Sequence, residues 1–262
     1  MVNHGALYLF ICSYDGYNIK RKGVGMDLLT VNIMQAGYNK QDSQTITDIN
    51  FIVKSKELVG LIGPNGAGKS TVIKAILGLL PLTFGKIEFT GFGQKYAYIP
   101  EQPVFYDNLT LWEHLQLAAA VHEINEKTLF DKGNELLTLL SLQDVKHHYP
   151  TSFSKGMHQK LMIAIGFLIQ PDIYLIDEPF VGLDPLATKT LINLINRERE
   201  RGAGILISTH QLEIAEKICD KIFVILNGSI LTKGTLEQIR KKCHLPGASL
   251  FDCFCHIMEH LK

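Results

Sequence analysis

The octapeptide Gly63-Pro64-Asn65-Gly66-Ala67-Gly68-Lys69-Ser70 fits the pattern G-x-x-x-x-G-K-[ST]. A short apolar run over 57–62 reads as a strand before it, and a helical stretch over 69–80 follows at once. In that setting the glycines have a specific use. They let the backbone wrap closely, so that successive N–H groups point inward and cradle phosphate oxygens. The helix that starts near Lys69 adds the positive end of its dipole. Lys69 is expected to reach the β- and γ-phosphates of a nucleotide, and Ser70 to ligate Mg²⁺. The expected nucleotide contacts are thus Gly63, Pro64, Asn65, Gly66, Ala67, Gly68, Lys69 and Ser70, with Thr71 beside them.

A second element lies about a hundred residues on. Ile173-Tyr174-Leu175-Ile176-Asp177-Glu178-Pro179 is an apolar strand ending in two acids. The strand delivers Asp177 beside the metal, to hold it directly or through water. Glu178 follows and points differently, placed to orient or deprotonate an attacking water. Two acids at a strand end are ordinarily solvated charge; following such a loop at this distance, they read as its second half.

The chain between and around these motifs alternates strand and helix signals. Residues 28–36 and 45–53 alternate in strand fashion, and 86–89 and 96–99 read as further short strands. Residues 110–122, 129–142, 156–169 and 188–200 carry helical periods. The runs 173–176 and 205–208 are apolar but for the closing Ser208, as in a parallel sheet covered on both faces. Asn227-Gly228 between 222–226 and 229–232 is a hairpin signal. There is no internal repeat, and one nucleotide motif set is present.

Composition excludes other classes. A chain of 262 residues with 46% hydrophobic and 20% charged residues suits a globular protein of one or two domains. Lys+Arg and Asp+Glu both number 26, and a neutral balance argues against nucleic-acid partners, which need a basic surface. No apolar run reaches membrane-span length, and the N-terminus lacks the layout of a secretory signal. The five cysteines, odd in number and scattered, read as reduced thiols.

The order Gly63–Ser70, Gln102, Phe153-Ser154-Lys155-Gly156-Met157, Asp177-Glu178, Asp184 and His210 resembles the ATP-binding cassette (ABC) family, over nearly the whole chain from Met26. Tyr98-Ile99-Pro100-Glu101-Gln102-Pro103, Phe153-Ser154-Lys155-Gly156-Met157-His158-Gln159-Lys160 and Leu245-Pro246-Gly247-Ala248-Ser249-Leu250 most resemble the Ecs-type transporter ATPases of Gram-positive bacteria. The resemblance implies an α/β fold: a P-loop NTPase core with a mainly parallel sheet, a small antiparallel β lobe and an inserted α-helical lobe at roughly 102–169. It implies one ATP-binding domain over 26–262, using ATP and Mg²⁺. Tyr38 would stack on adenine. Gln102 would touch Mg²⁺ or the attacking water, and His210 the γ-phosphate. Ser154 and Gly156 would meet the γ-phosphate held by a second cassette, expected to be an identical copy, with Asp184 at that dimer contact. Lys155 and Met157 depart from the common Leu-Ser-Gly-Gly-Gln, with Lys155 expected to point to solvent.

The implied activity is ATP hydrolysis that powers transport, export by the Ecs-type resemblance, through a separate integral membrane permease, from the cytoplasmic face of the membrane. The competing readings are an ABC-type ATPase acting on ribosomes or DNA, and a scaffold with a degenerate site. Phe105, Tyr106, Leu109 and Leu111 are candidates to line a permease groove, although internal packing suits most of them better. The stretch 85–93 reads as a trimmed hairpin insertion. Residues 1–25 read as an extension, either a disordered arm or sequence upstream of a natural start at Met26. Leu250, Phe251, Phe254, Ile257, Met258 and Leu261 recur at helical spacing, as an amphipathic C-terminal helix. Cys253, Cys255 and His256 on that helix do not converge on a metal, because residues two apart do not face one another.

Overall fold

The computed structural model describes residues 25–38, 46–90 and 96–260. In chain order they form β1 (Asp27–Gly37), β2 (Ile46–Lys54), β3 (Leu58–Ile62), α1 (Lys69–Ile76) and β4 (Leu82–Phe89). Next come β5 (Tyr96–Ile99), α2 (Leu111–Val121), α3 (Glu126–Leu139), α4 (Lys155–Ile169), β6 (Ile173–Asp177) and α5 (Pro185–Arg201). The chain continues with β7 (Gly204–Thr209), α6 (Leu212–Ile218), β8 (Lys221–Leu226), β9 (Ser229–Gly234), α7 (Leu236–Lys242) and α8 (Leu250–Glu259). Short 3₁₀ turns stand at Gln143–Val145 and Pro150–Ser152. The described residues divide into two compact units, 96–201 in one and 25–90 with 202–260 in the other. All of the N-terminal extension except Gly25, and with it Cys12, lies outside the described residues.

In the second of these units, β2, β1 and β4 make a small antiparallel sheet in that order. Leu29, Val31 and Ile33 of β1 point to the core. A bulge between Ile33 and Gln35 shifts the register, leaving Met34 exposed and bringing Ala36 back inside. Strand β3 runs parallel to β7 on one side and to β8 on the other, and β9 returns antiparallel beside β8. In the first unit β5 and β6 are parallel. Every residue of β3, β6 and β7 is buried, as their mostly apolar runs anticipate. The chain is therefore α/β, with mainly parallel strands, a small antiparallel sheet and helices.

Helix ends follow local chemistry more closely than periodicity does. Helix α1 was expected to reach residue 80 but stops at Ile76. Gly78 takes φ 68°, and the N–H groups of Gly78 and Leu79 close back on the carbonyls of Ala75 and Lys74. Helix α3 runs over Glu126–Leu139 and not 129–142. The Asn125 side chain accepts from Thr128 N at 2.9 Å and starts it early. Ser141, at φ 57°, ends it the same way as Gly78. Thr110–Glu113 caps α2 with the reciprocal bonds of a capping box.

Helices α6 and α7, seven residues each, were not anticipated. Each buries one residue, Ala215 and Ile239 respectively, too little to leave a readable period. The C-terminal helix forms as expected: Leu250 and Cys253 are buried, and Phe254, Ile257 and Met258 pack on a cluster with Ile62, Val224 and Ile239. Phe251 is a correction to the expected apolar stripe, being 58% exposed. One residue beyond Leu250 it has turned by about 100°, off the core face. Leu261 lies outside the described residues.

Gly85 on β4 has φ 147°, and a Cβ there would run into the carbonyl oxygen of Asn32 on β1. Gly85→Ala is expected to destabilise the chain by about 1–3 kcal/mol. A urea midpoint equal to the parent's would refute that strain.

Candidate functional site

The loop between β3 and α1 is held in shape by glycines for separate reasons. A Cβ at Gly63 would collide with the carbonyl oxygen of Ile225 on β8. Gly66 and Gly68 adopt φ 79° and 105°, the left-handed region open to glycine. Gly68 is the N-cap of α1, so the loop delivers the chain straight into a helix start. Lys69 is buried, its Nζ donating to the carbonyls of Gly63 at 2.9 Å and Pro64 at 3.1 Å. Ser70 is half-buried, while Pro64, Asn65 and Gly66 are exposed at the loop tip; Ala67 and Thr71 are buried beneath. Tyr38 stands beside the same helix, its hydroxyl accepting from Lys74 Nζ at 3.2 Å. His210 follows β7 and is exposed. Because Ile62 and Thr209 are register partners, Gly63 and His210 leave the carboxyl ends of adjacent parallel strands.

The other motif residues lie in the other unit. Ile99 and Ile176 are register partners on β5 and β6. Asp177 therefore ends β6 next to the point where the chain leaves β5 toward Gln102, which is exposed. Asp177 and Glu178 are 2% and 5% exposed, so these acids are not surface charge. Glu178 takes φ 46°, which turns the chain sharply and sends its side chain on a different course from that of Asp177.

Ser154 is the N-cap of α4, its Oγ accepting from Met157 N at 3.3 Å. Gly156 packs so closely that a Cβ would stand 2.9 Å from the Gly182 carbonyl. Lys155 is exposed as expected, with its stem near Gly182: a Cβ there would lie 3.6 Å from Lys155 Cγ. Asp184 caps α5 through Ala187 N at 2.8 Å and pairs with Lys160 Nζ at 3.1 Å. These two bonds, the backbone one first, hold its carboxyl below the usual range.

Of the groove candidates, Leu111 is fully buried and packs internally, while Phe105, Tyr106 and Leu109 are half-buried. The sequence did not reveal what buttresses the motifs. The hairpin tip Gly228 donates to the Ala67 carbonyl at 2.9 Å and accepts from Thr47 N at 2.9 Å. Asn227-Gly228 signalled the turn but not its contact with the loop. Lys160 and His158 follow Ser154 on α4, and only packing shows what they touch. Among the described residues, no three His, Cys, Asp or Glu side chains form a metal-holding group, and Cys219, Cys243, Cys253 and Cys255 are not joined in disulfides.

A buried strand, a glycine loop with a lysine folded over its carbonyls and a helix starting from the loop define a P-loop nucleotide-binding protein. The family model for the ABC transporter matches residues 46–181. The ABC transporter ATP-binding protein YthP of Bacillus subtilis is 51% identical over 87% of this chain and 95% of its own length. The ABC-type transporter ATP-binding protein EcsA of the same organism is 38% identical over 89% of this chain and 98% of its own. A solved ATP-binding subunit of an ABC transporter superposes with a TM-score of 0.83 at 43% identity, over 88% of this chain and 99% of that one. The chain belongs to the ABC transporter family, and within it is EcsA-like.

His114 on α2 is fully buried. Its Nδ1–H donates to the Thr110 carbonyl at 2.8 Å, and its Nε2 accepts from Tyr106 N at 3.0 Å. That pairing requires the neutral ring. Burial lowers its pKa from the ordinary 6.5, against the opposing pull of the Thr110 carbonyl and Glu113. With the folded value depressed, the unfolded chain binds the proton first as pH falls. The His114 contribution is thus whole above 6.5 and is lost as pH falls from there through the folded value. Urea titrations across this window should show stability falling with acid, and His114→Gln should flatten that slope. An unchanged slope would refute the neutral assignment.

Proposed function

We propose that this chain is the ATP-hydrolysing subunit of a transporter whose membrane-spanning part is a separate polypeptide, and that the work it powers is export. The ATPase class follows from the family. The export direction rests on the Ecs-type likeness alone. No helix among the described residues is long and apolar enough to cross a membrane. The observation that carries the reading is the loop between β3 and α1, whose N–H groups and helix start suit a triphosphate.

In this proposal residues 26–262 act as one cassette, with a helical lobe at roughly 102–169 that faces the permease. The loop Gly63–Ser70 and Thr71 hold the phosphates, Lys69 the β- and γ-oxygens, and Tyr38 stacks on adenine. Ser70, Asp177 and Gln102 offer a hydroxyl, a carboxylate and an amide oxygen, an all-oxygen donor set that fits a hard cation such as Mg²⁺. Bound there, Mg²⁺ supplies neutralisation of phosphate charge. Glu178 orients or deprotonates the attacking water, and His210 donates toward the γ-phosphate. Ser154 and Gly156 present a hydroxyl and a backbone N–H to the γ-phosphate held by a second copy, with Asp184 beside that contact. ATP then stabilises the closed pair by mass action, and hydrolysis releases it.

Glu178→Gln should abolish turnover while ATP-dependent dimerisation persists, and Lys69→Ala should weaken nucleotide binding itself. Rapid hydrolysis by the glutamine variant would remove Glu178 from the mechanism. Affinity purification from detergent-solubilised membranes should recover a stoichiometric polytopic partner. Recovery with ribosomal proteins, or without any membrane protein, would overturn the transport assignment while leaving the ATPase in place.

A further inference from the structure

The segment after β5 that carries Gln102 is joined to the turn that carries Ser154 and Gly156 through a cluster of three rings. The rings of Phe105 and His158 stack at a centroid distance of 5.4 Å with an 18° tilt, and those of Phe105 and His114 meet edge to face at 5.3 Å and 89°. His114 is itself clamped to this segment by Tyr106 N and Thr110 O. His158 is fixed from the other side. Its Nε2 bonds the Pro150 carbonyl at 2.8 Å, its ring lies 6.0 Å from Phe153, and its backbone N–H donates to Ser154 O at 3.0 Å as the helix begins. His158 thus sits one helical turn past Ser154, with its ring on the segment that begins three residues after Gln102.

We propose that His158 is a positioning residue: by stacking on Phe105 and bonding Pro150, it sets the angle of the Ser154–Gly156 turn from the position of the Gln102 segment. The inference rests on the proposed role of Ser154 and Gly156 toward a second copy's nucleotide. Flat rings in contact resist sliding and tilting, and the hydrogen bond removes the remaining freedom of the imidazole. A small rotation of the turn would move the Ser154 hydroxyl and the Gly156 N–H off a phosphate oxygen. Nucleotide held by the chain's own Lys69 loop would be untouched by that movement.

The test separates turnover from binding. In His158→Ala, kcat should fall about 10- to 100-fold, as expected for a misplaced contact. Affinity for a fluorescent ATP analogue should stay within about twofold. His158→Phe keeps a ring on Phe105 and should recover most of the turnover; His158→Gln keeps a donor without the stack and should recover little. Should His158→Ala fold poorly, Phe105→Leu reads the same contact from the other side and must give the same split. Parallel loss of binding and turnover, or wild-type turnover in both Ala and Leu variants, overturns the inference. A parent protein that binds ATP without hydrolysing it overturns the underlying reading instead, and the inference falls with it.

Discussion

The loop after β3 works only if the backbone can come closer to its surroundings than any side chain permits. At Gly63 the obstacle is the Ile225 carbonyl; at Gly68 it is the Ile46 side chain and the backbone of Gly228. Gly66 meets no obstacle but needs φ 79°. A cradle of N–H groups is a concave arrangement of peptide planes, and such curvature requires left-handed residues at intervals. The constraint then spreads outward. Gly228 must also be left-handed, at φ 79°, to make the β8–β9 turn. That turn is what brings its N–H to the Ala67 carbonyl and its own carbonyl to Thr47. Thr47 Oγ1 and Ser229 Oγ lie 2.9 Å apart and repeat the link. The antiparallel sheet, the hairpin and the loop therefore share one small set of polar bonds.

The same economy appears at the helix starts. Ser154 begins α4 by accepting from Met157 N, and Asp184 begins α5 by accepting from Ala187 N. A capping side chain is held at a fixed angle to the helix axis, with the positive end of the dipole beside it. An exposed residue so held is ordered before any partner arrives, and ordering it costs nothing further on association. Lys160 adds to this by tying Asp184 at the start of α5 to the second turn of α4.

The legible part of the molecule was what repeats or what is chemically singular. Mostly apolar runs gave β3, β6 and β7, because burial on both faces confines polar residues to the strand ends, at Asp177, Ser208 and Thr209. Glycines with Lys69 and Ser70 at fixed offsets gave the loop, and Asn227-Gly228 gave the hairpin. Helix ends were less legible, since closure at Gly78 and Ser141 depends on two backbone bonds and not on composition alone. The short α6 and α7 escaped because neither completes a hydrophobic stripe. Phe251 was misread because period alone does not say which of two adjacent apolar residues takes the core side. Partners such as Phe105 with His158, distant in sequence, have no local signature at all.

Fully buried strands raise a further question, namely what fixes their register. Where both faces are apolar, a slip by one residue exposes nothing polar and is weakly opposed by burial. In the unit that holds the loop, the answer lies at the opposite ends of the strands. Leu58 N donates to Asp220 Oδ2 at 2.8 Å, while Asp220 N donates to the Leu58 carbonyl at 2.9 Å. Lys221 pairs with Glu57 at 2.6 Å, which joins the starts of β8 and β3. Ile205 N donates to the Glu57 carbonyl, Lys56 N to the Ala203 carbonyl, and Ser55 Oγ to Gly202, which joins β3 to β7. These bonds are directional and cannot survive a shift of one residue. They hold Ile62 opposite Thr209, and so set Gly63 beside His210 at the far end. Residues with no chemistry of their own, at the amino ends of the strands, thereby set the placement of the residues that emerge at the carboxyl ends.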